Sequence, residues 1–268
     1  MYMGLCLLLL MLSFGAAGCG TLPNGRGWGQ DALSSNSLTR IPRAAYNAFF
    51  DLQTLIPAVG AVVCAAGDFD DDVTAWATRH TPVFGSVEDA QKASDWLRAT
   101  LQVEAAVTAL ATPSGNDPQH WAYWKAKGLG VELAAVGVTG GVTQLLKTTT
   151  DRGRPDDPQD KTSFPSGHAS GAFAAATLAN RNVDALGVSK PLQRTMQIAN
   201  LGLASGVAWA RLEGGRHFPS DVLAGAALGH FLSAFIHDAF LGLPDTGRFR
   251  LIILPAADNT RVELSFGF

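Results

Sequence analysis

Three short blocks between residues 147 and 221 constrain this chain more than any other feature. Lys147 is followed seven residues later by Arg154-Pro155. Next comes Pro165-Ser166-Gly167-His168. Last is Arg211, with His217 six residues on and Asp221 four beyond that. Each residue alone has a plainer reading. Lys147 and Arg211 fall near predicted helix C-termini, where cations are favoured. Asp221 suits a helix first turn, and a lone histidine is usually a core residue. Three cations, two histidines and a carboxylate at this spacing make sense together only if the fold gathers them around one anion.

The chemistry of each block agrees. Pro165 suits the first position of a helix, where its missing N–H would have had no partner. The apolar run Ala169 to Leu178 continues that helix. The N–H groups near Ser166 and Gly167 then point out of a helix N-terminus, a ready anion site. Gly167 lets an anion approach the backbone closely. The third block repeats the device: Pro219 opens a second helix, Asp221 lies in its first turn and His217 just outside it. Asp221 is placed to hold one ring nitrogen of His217, leaving the other free as a nucleophile. Lys147, Arg154 and Arg211 supply the positive charge that phosphoryl transfer needs on the equatorial oxygens.

Lys147-x6-Arg154-Pro155, Pro165-Ser166-Gly167-His168 and Arg211-x5-His217-x3-Asp221 together resemble the three-part signature of the type 2 phosphatidic acid phosphatase (PAP2) superfamily. That superfamily also holds bacterial non-specific acid phosphatases and vanadium haloperoxidases. The resemblance covers roughly Trp121 to Phe240. It implies that His217 attacks phosphorus and becomes a phosphohistidine, that Asp221 orients His217, and that His168 protonates the leaving oxygen. It also implies that Lys147, Arg154, Arg211 and the Ser166/Gly167 backbone bind the phosphoryl oxygens, with no cofactor and no metal. Two positions depart from the pattern. Ala210 stands where a serine usually precedes the arginine, and the loop from Asp156 to Phe164 is short.

The remaining chain bears on location. At 47% hydrophobic and 16% charged, the composition is richer in apolar residues than a typical soluble domain. A net charge of −3 gives no reason to expect nucleic acid. Three cysteines, Cys6, Cys19 and Cys64, imply no disulfide framework. The apolar run Leu5 to Phe14 and the small residues before Cys19 read as a signal peptide over 1–18. Ala16-Ala17-Gly18-Cys19 resembles a bacterial lipoprotein processing site, which would make Cys19 a lipidated N-terminus and a membrane anchor. That implies a lipoprotein on the periplasmic side of a bacterial membrane, the outer rather than the inner. The alternative is an integral membrane protein. Residues 19–43, rich in Gly, Ser, Asn and Pro without periodicity, read as a flexible tether.

Residues 44–67 are predicted helical, with Pro57 as kink or boundary. Asp70 to Asp72 read as first-turn acids of the next helix rather than a calcium loop, which would need Gly where Val73 stands. Residues 86–112 form an amphipathic helix begun by Ser86, and Asp117-Pro118 opens another running to about Lys147. The cluster Trp121, Tyr123, Trp124, Lys125 and Lys127 suits either a membrane surface or core packing with solvated lysines. His230 and His237 read as packing or surface residues. In the long helices after residue 169 the longest uncharged stretches are about sixteen residues, as in Thr195 to Ala210 and Val222 to His237, short of the ~20 a span needs. Arg248 to Leu254 and Arg261 to Phe268 are predicted strands with a turn at Asp258-Asn259, a hairpin packed on the helices.

The expected architecture is an all-α, PAP2/haloperoxidase-like helical bundle over 44–242 with a small C-terminal β-hairpin over 243–268. The expected function is metal-independent hydrolysis of a phosphomonoester or pyrophosphate, with a phosphorylated lipid or small phosphate ester as substrate. A vanadate-dependent haloperoxidase and a non-catalytic phosphate-binding lipoprotein are the alternatives.

Overall fold

Capping side chains set most of the helix ends. In the computed structural model, which describes residues 18–34, 37–67, 69–241, 250–255 and 260–265, eight helices account for most of the chain. They are α1 (Ser37–Phe49), α2 (Leu52–Ala66), α3 (Phe69–His80), α4 (Val87–Ala111), α5 (Pro118–Thr150), α6 (Gly167–Ala185), α7 (Lys190–Glu213) and α8 (Pro219–Leu241). Ser86 Oγ accepts the Asp89 N–H at 3.0 Å and opens α4. Asp117 accepts the Gln119 N–H at 3.3 Å and opens α5, with Pro118 in its first turn. The helix expected over 44–67 is in fact two. It breaks before Asp51, whose carboxylate caps α2 by accepting the Gln53 N–H at 2.9 Å. Pro57 lies inside α2 and neither ends nor begins it. The domain is all-α, as the sequence implied.

Helix α8 is the centre of the bundle and packs against α1, α2, α5 and α6. Its contact with α6 is set by two glycines one turn apart. A Cβ on Gly225 would lie 2.6 Å from the Ser166 carbonyl oxygen, and one on Gly229 2.2 Å from that of Ser170. Only hydrogen fits at those distances, so the two backbones touch and their N-terminal ends lie side by side. His230 and His237 on α8 are both 1% exposed and so are interior, not surface, residues. His230 shares a 2.8 Å hydrogen bond with Thr177 Oγ1 on α6, and its other nitrogen is 3.4 Å from Asp51 at the start of α2.

The expected tether is not free over its described part. Leu22, Trp28 and Ala32 are buried in the main core. Trp28, fully buried, lies against Gly128 of α5, where any side chain would collide with its ring. Lys125 is buried as well, not solvated. Its ammonium sits 4.9 Å from the Trp28 ring and donates to the Ala109 and Thr112 carbonyls at 2.9 and 2.6 Å, satisfying the end of α4. A glycine-rich composition without periodicity signalled a linker. One tryptophan with a glycine-lined slot to enter was enough to order it. The expected signal peptide lies outside the described residues except Gly18. The last tether residues, Ser37 to Arg43, are part of α1.

The expectation that no helix reaches spanning length is overturned. Helices α5 and α8 are each long and apolar enough to cross a membrane. A third candidate is the pair Thr39–Phe49 and Leu52–Ala66, bent by 52° at its break. Counting every charge as a stop was the error. Glu132 is the only charged residue between Gly128 and Leu146, and it is buried inside the bundle. Asp238, near the end of α8, pairs with Arg181 at 2.7 Å. A charge turned inward does not end a span.

Two strands, β1 (Arg250–Pro255) and β2 (Thr260–Ser265), pair antiparallel with Arg250 opposite Ser265 and Pro255 opposite Thr260. The expected turn at Asp258-Asn259, and the expected packing on the helices, lie outside what is described.

Candidate active site

The close contact of α6 and α8 brings the second and third blocks together, and the ends of α5 and α7 bring the rest. Lys147 and Arg211 lie in the last turns of α5 and α7. His217 lies in the loop between α7 and α8, and Arg154 in the loop after α5. Lys147 Nζ donates to the Thr162 carbonyl. Arg154 donates to Thr162 Oγ1 at 2.9 Å and pairs with Asp160 at 2.8 Å. Arg211 is 6% exposed, donates to Ser94 Oγ at 3.1 Å, and its Nε has no partner. Burial and then the neighbouring Arg154 and Arg216 cations push the Arg211 pKa down to about 10. The cations repel one another, and of the three only Arg154 has a carboxylate in direct ion-pair contact, so Lys147 and Arg211 favour an anion between them.

His217 is 1% exposed. Its Nδ1 stands 3.7 Å from Asp221 Oδ2, beyond hydrogen-bond distance, and has no hydrogen-bond partner. Burial lowers its pKa to about 4; Asp221 opposes this, while Arg211 and Lys147 add to it. The ring is thus neutral over most of the pH range, as a nucleophile must be. His168 is likewise lowered to about 4, by burial and then by Arg211. Its Nε2 lies 2.7 Å from Asp95 Oδ1.

The Pro165 expectation needs correction. Helix α6 starts at Gly167, with Ser166 as its cap, so Pro165 lies outside it. Ser166 Oγ accepts the Ala169 N–H at 3.4 Å, and the Ser166 N–H donates to the Asp221 carbonyl at 2.9 Å. That N–H is spent, so an anion at this end meets the N–H groups of Gly167 and His168, which have no acceptor within the helix. The second helix N-terminus is not an open anion site. The Ser220 N–H donates to Asp70 Oδ1 at 2.8 Å, and the Phe218 N–H to Asp221 Oδ2 at 2.9 Å.

Four polar residues at the site were not singled out from sequence. Arg152 donates to Asp221 Oδ1 at 2.7 Å, to Ser220 Oγ at 2.7 Å and to Asp70 Oδ2 at 2.8 Å. Ser163 Oγ donates to Asp221 Oδ2 at 2.5 Å. The Asp221 carboxylate is thus held by three donors, Arg152, Ser163 Oγ and the Phe218 N–H. Asp70 was read only as a first-turn acid, which it also is. Asp95 sits in α4 as one acid among several. Arg152 alone had a local signal, lying inside the first block. Among the described residues, no group of three or more His, Cys, Asp or Glu is placed to hold a metal ion.

A cavity of about 510 Å³ opens from this site. It runs between α4, α5 and α6 from Lys147 and Gly167 past Thr139 to Glu132 and Leu129, and most of its wall is apolar. A second, more polar cavity of about 750 Å³ lies on the far side of Arg154, lined also by Asp71, Arg79, Lys161 and Phe218.

Residues 129–242 match the PAP2 superfamily, so this part of the chain is a PAP2 superfamily domain. Two Mycobacterium tuberculosis proteins, from strains CDC 1551 / Oshkosh and ATCC 25618 / H37Rv, are described as decaprenylphosphoryl-5-phosphoribose phosphatase. Each is 32% identical to this chain over 127 residues, covering 44% of this chain and 62% of its own length. The chain therefore spans less than two thirds of these relatives. The crystal structure of a transmembrane PAP2-type phosphatidylglycerolphosphate phosphatase from Bacillus subtilis superposes with a TM-score of 0.51. It is 22% identical, over 74% of this chain and 94% of that one, and bears on the fold alone.

Proposed function

We propose that this protein is a membrane-embedded phosphatase that hydrolyses a lipid phosphomonoester through a phosphohistidine, without a metal ion. The observation that carries the reading is the convergence of Lys147, Arg154 and Arg211 on the open N-terminus of α6, beside a buried neutral His217. A free ring nitrogen of His217 attacks phosphorus, and the bond from phosphorus to the leaving oxygen breaks. His168 gives that oxygen its proton. Water then attacks the phosphohistidine, His168 takes a proton from the water, and phosphate leaves. Lys147, Arg154, Arg211 and the Gly167 and His168 N–H groups hold the equatorial oxygens throughout. The apolar cavity beginning at Lys147 and Gly167 supports a substrate whose phosphate carries a long hydrocarbon chain. The Mycobacterium tuberculosis relatives, named for a decaprenylphosphoryl substrate, agree with that class.

The position of the site on α5 supports a reading of location. The Gly18 carbonyl accepts from Ser114 N–H at 3.1 Å and from Trp121 Nε1 at 2.5 Å, which puts Cys19 beside the start of α5. Lys147 is at the other end, 26 residues after Trp121, or about 39 Å at 1.5 Å per residue. If α5 spans the ~30 Å hydrocarbon core, Cys19 and the phosphate site face opposite sides of the membrane. A lipid on Cys19 then cannot tether the chain on the face where the site works. We therefore read the chain as an integral membrane protein with α5 and α8 as spans, in preference to a lipoprotein held by Cys19 alone.

The test is phosphate release from lipid and soluble phosphomonoesters, in parallel with vanadate-supported bromide oxidation. Release of phosphate, unaffected by EDTA and inhibited by orthovanadate, is expected. Bromide oxidation without phosphatase activity would favour the haloperoxidase reading. His217→Ala is expected to lower turnover by at least roughly a thousandfold while orthovanadate still binds, because the cations remain.

A further inference from the structure

We propose that Asp95 is a positioning residue for His168, holding its ring so that Nδ1 delivers the proton to the leaving oxygen. This rests on the phosphatase reading above. Asp95 lies in α4, outside the matched region 129–242. Its Oδ1 is 2.7 Å from His168 Nε2, a short charge-assisted contact that takes up one ring nitrogen. The other, Nδ1, is left as the one that can give up a proton.

The electrostatics explain why such a partner is needed. A general acid must carry its proton when substrate arrives. His168 feels Arg98 from the same helix as Asp95 and Arg211 from α7, while Lys147 at the end of α5 lies against the neighbouring Gly167. From α8, the Asp221 carbonyl accepts the N–H of Ser166, two residues before His168. Burial and the arginines both disfavour the imidazolium, and Asp95 is the carboxylate that favours it. The same contact holds the Asp95 carboxyl below its usual range. When the proton leaves Nδ1, the neutral ring keeps its Nε2–H on Asp95. The geometry is then unchanged for the second step, in which Nδ1 accepts a proton from water.

The side chain of Asp95 is 64% exposed, so Asp95→Asn removes charge without opening the core. In full-length protein, the His168 imidazole followed by NMR should titrate at lower pH in Asp95→Asn than in the parent. The limb of kcat/KM on which activity falls as pH rises should shift to lower pH with it, because the acid form is lost sooner. An alkyl phosphate needs its leaving oxygen protonated and should be turned over about 30-fold more slowly. 4-Nitrophenyl phosphate, whose leaving group needs no proton, should slow by about threefold or less. Asp95→Glu should recover part of the loss. Equal losses on both esters with an unmoved pH profile would overturn the proposal, as would an unmoved His168 titration. A parent protein that releases phosphate from no ester would instead overturn the reading on which this rests, and the titration would still report the pairing.

Discussion

At the N-terminus of α6, the N–H groups of Gly167 and His168 point out of the helix with no acceptor inside it, and Lys147 closes against Gly167. At the N-terminus of α8, a few ångströms away across the Gly225 and Gly229 contact, the Ser220 N–H is taken by Asp70 and the Phe218 N–H by Asp221. Both helices are introduced by the same kind of sequence, a proline and a serine within three residues of a histidine. Both carry the same partial positive charge. The difference is supplied from outside. Asp70 arrives from α3, 150 residues earlier, and cancels one of the two ends. With Asp221 it also neutralises Arg152, so the site keeps three cations for a ligand while a fourth becomes structural. A helix N-terminus is an anion site only where the fold leaves it empty.

Filling the open end is the severest way to break this contrast. A Cβ at Gly167 would sit 3.7 Å from Lys147 Cε, an ordinary contact, so Gly167→Ala should fold and keep most of its activity. Gly167→Asp should also fold. Its carboxylate, however, would occupy the free N–H groups and pair with Lys147, as Asp70 does at the other helix with Arg152. Affinity for orthovanadate, measured by inhibition, should fall by roughly a hundredfold or more. If Gly167→Ala and Gly167→Asp lose affinity equally, the N-terminus needs room rather than charge, and the comparison fails.

Emptying the closed end should cost stability more than chemistry. Asp70→Ala leaves the Ser220 N–H without an acceptor and takes one of two carboxylates from Arg152. The expected loss is about 2–4 kcal/mol, read by denaturant unfolding in detergent. The site should still bind orthovanadate, since Lys147, Arg154 and Arg211 do not touch Asp70. A variant as stable as the parent would mean that water replaces Asp70 at no cost.

The contrast also explains what the sequence disclosed. The all-α architecture was legible, and the six side chains of the blocks could be singled out, because each block carries its own local grammar: a cation in a last turn, a cap, a first-turn acid. Asp70 and Asp95 carried none. Each sits among other acids at a helix start or on a helix face, and nothing within ten residues distinguishes it from a solvated neighbour. Their roles are fixed by contacts over 150 and 73 residues. The two readings of the N-terminal half failed for a related reason. Composition marked 19–43 as a linker, but the slot for Trp28 is made by Gly128, about a hundred residues on. Charge counting denied α5 the length of a span because of Glu132, but whether that carboxylate faces lipid or protein depends on which helices lie beside it.

The smallest expected effect concerns Ser166, and it is the most discriminating about how the open end works. The sequence put Ser166 among the phosphate-binding residues. In the structure it is buried, its N–H is spent on the Asp221 carbonyl, and its hydroxyl caps α6 at a long 3.4 Å. If the hydroxyl serves the helix alone, Ser166→Ala should cost about 1 kcal/mol of stability, the usual value of a cap. Orthovanadate affinity and kcat should then change by less than about threefold, because Gly167 and His168 N–H groups still face the anion. If the hydroxyl turns to donate to a phosphoryl oxygen when substrate binds, a buried charge-assisted hydrogen bond is lost instead. Affinity should then drop by roughly tenfold or more, with little change in unfolding. Measuring inhibition and unfolding on the same variant separates the two. The first result would make the anion site one of backbone and distant cations, set by the unfilled helix end. The second would return Ser166 to the ligand shell and make the two N-termini differ in side chain as well as in occupancy.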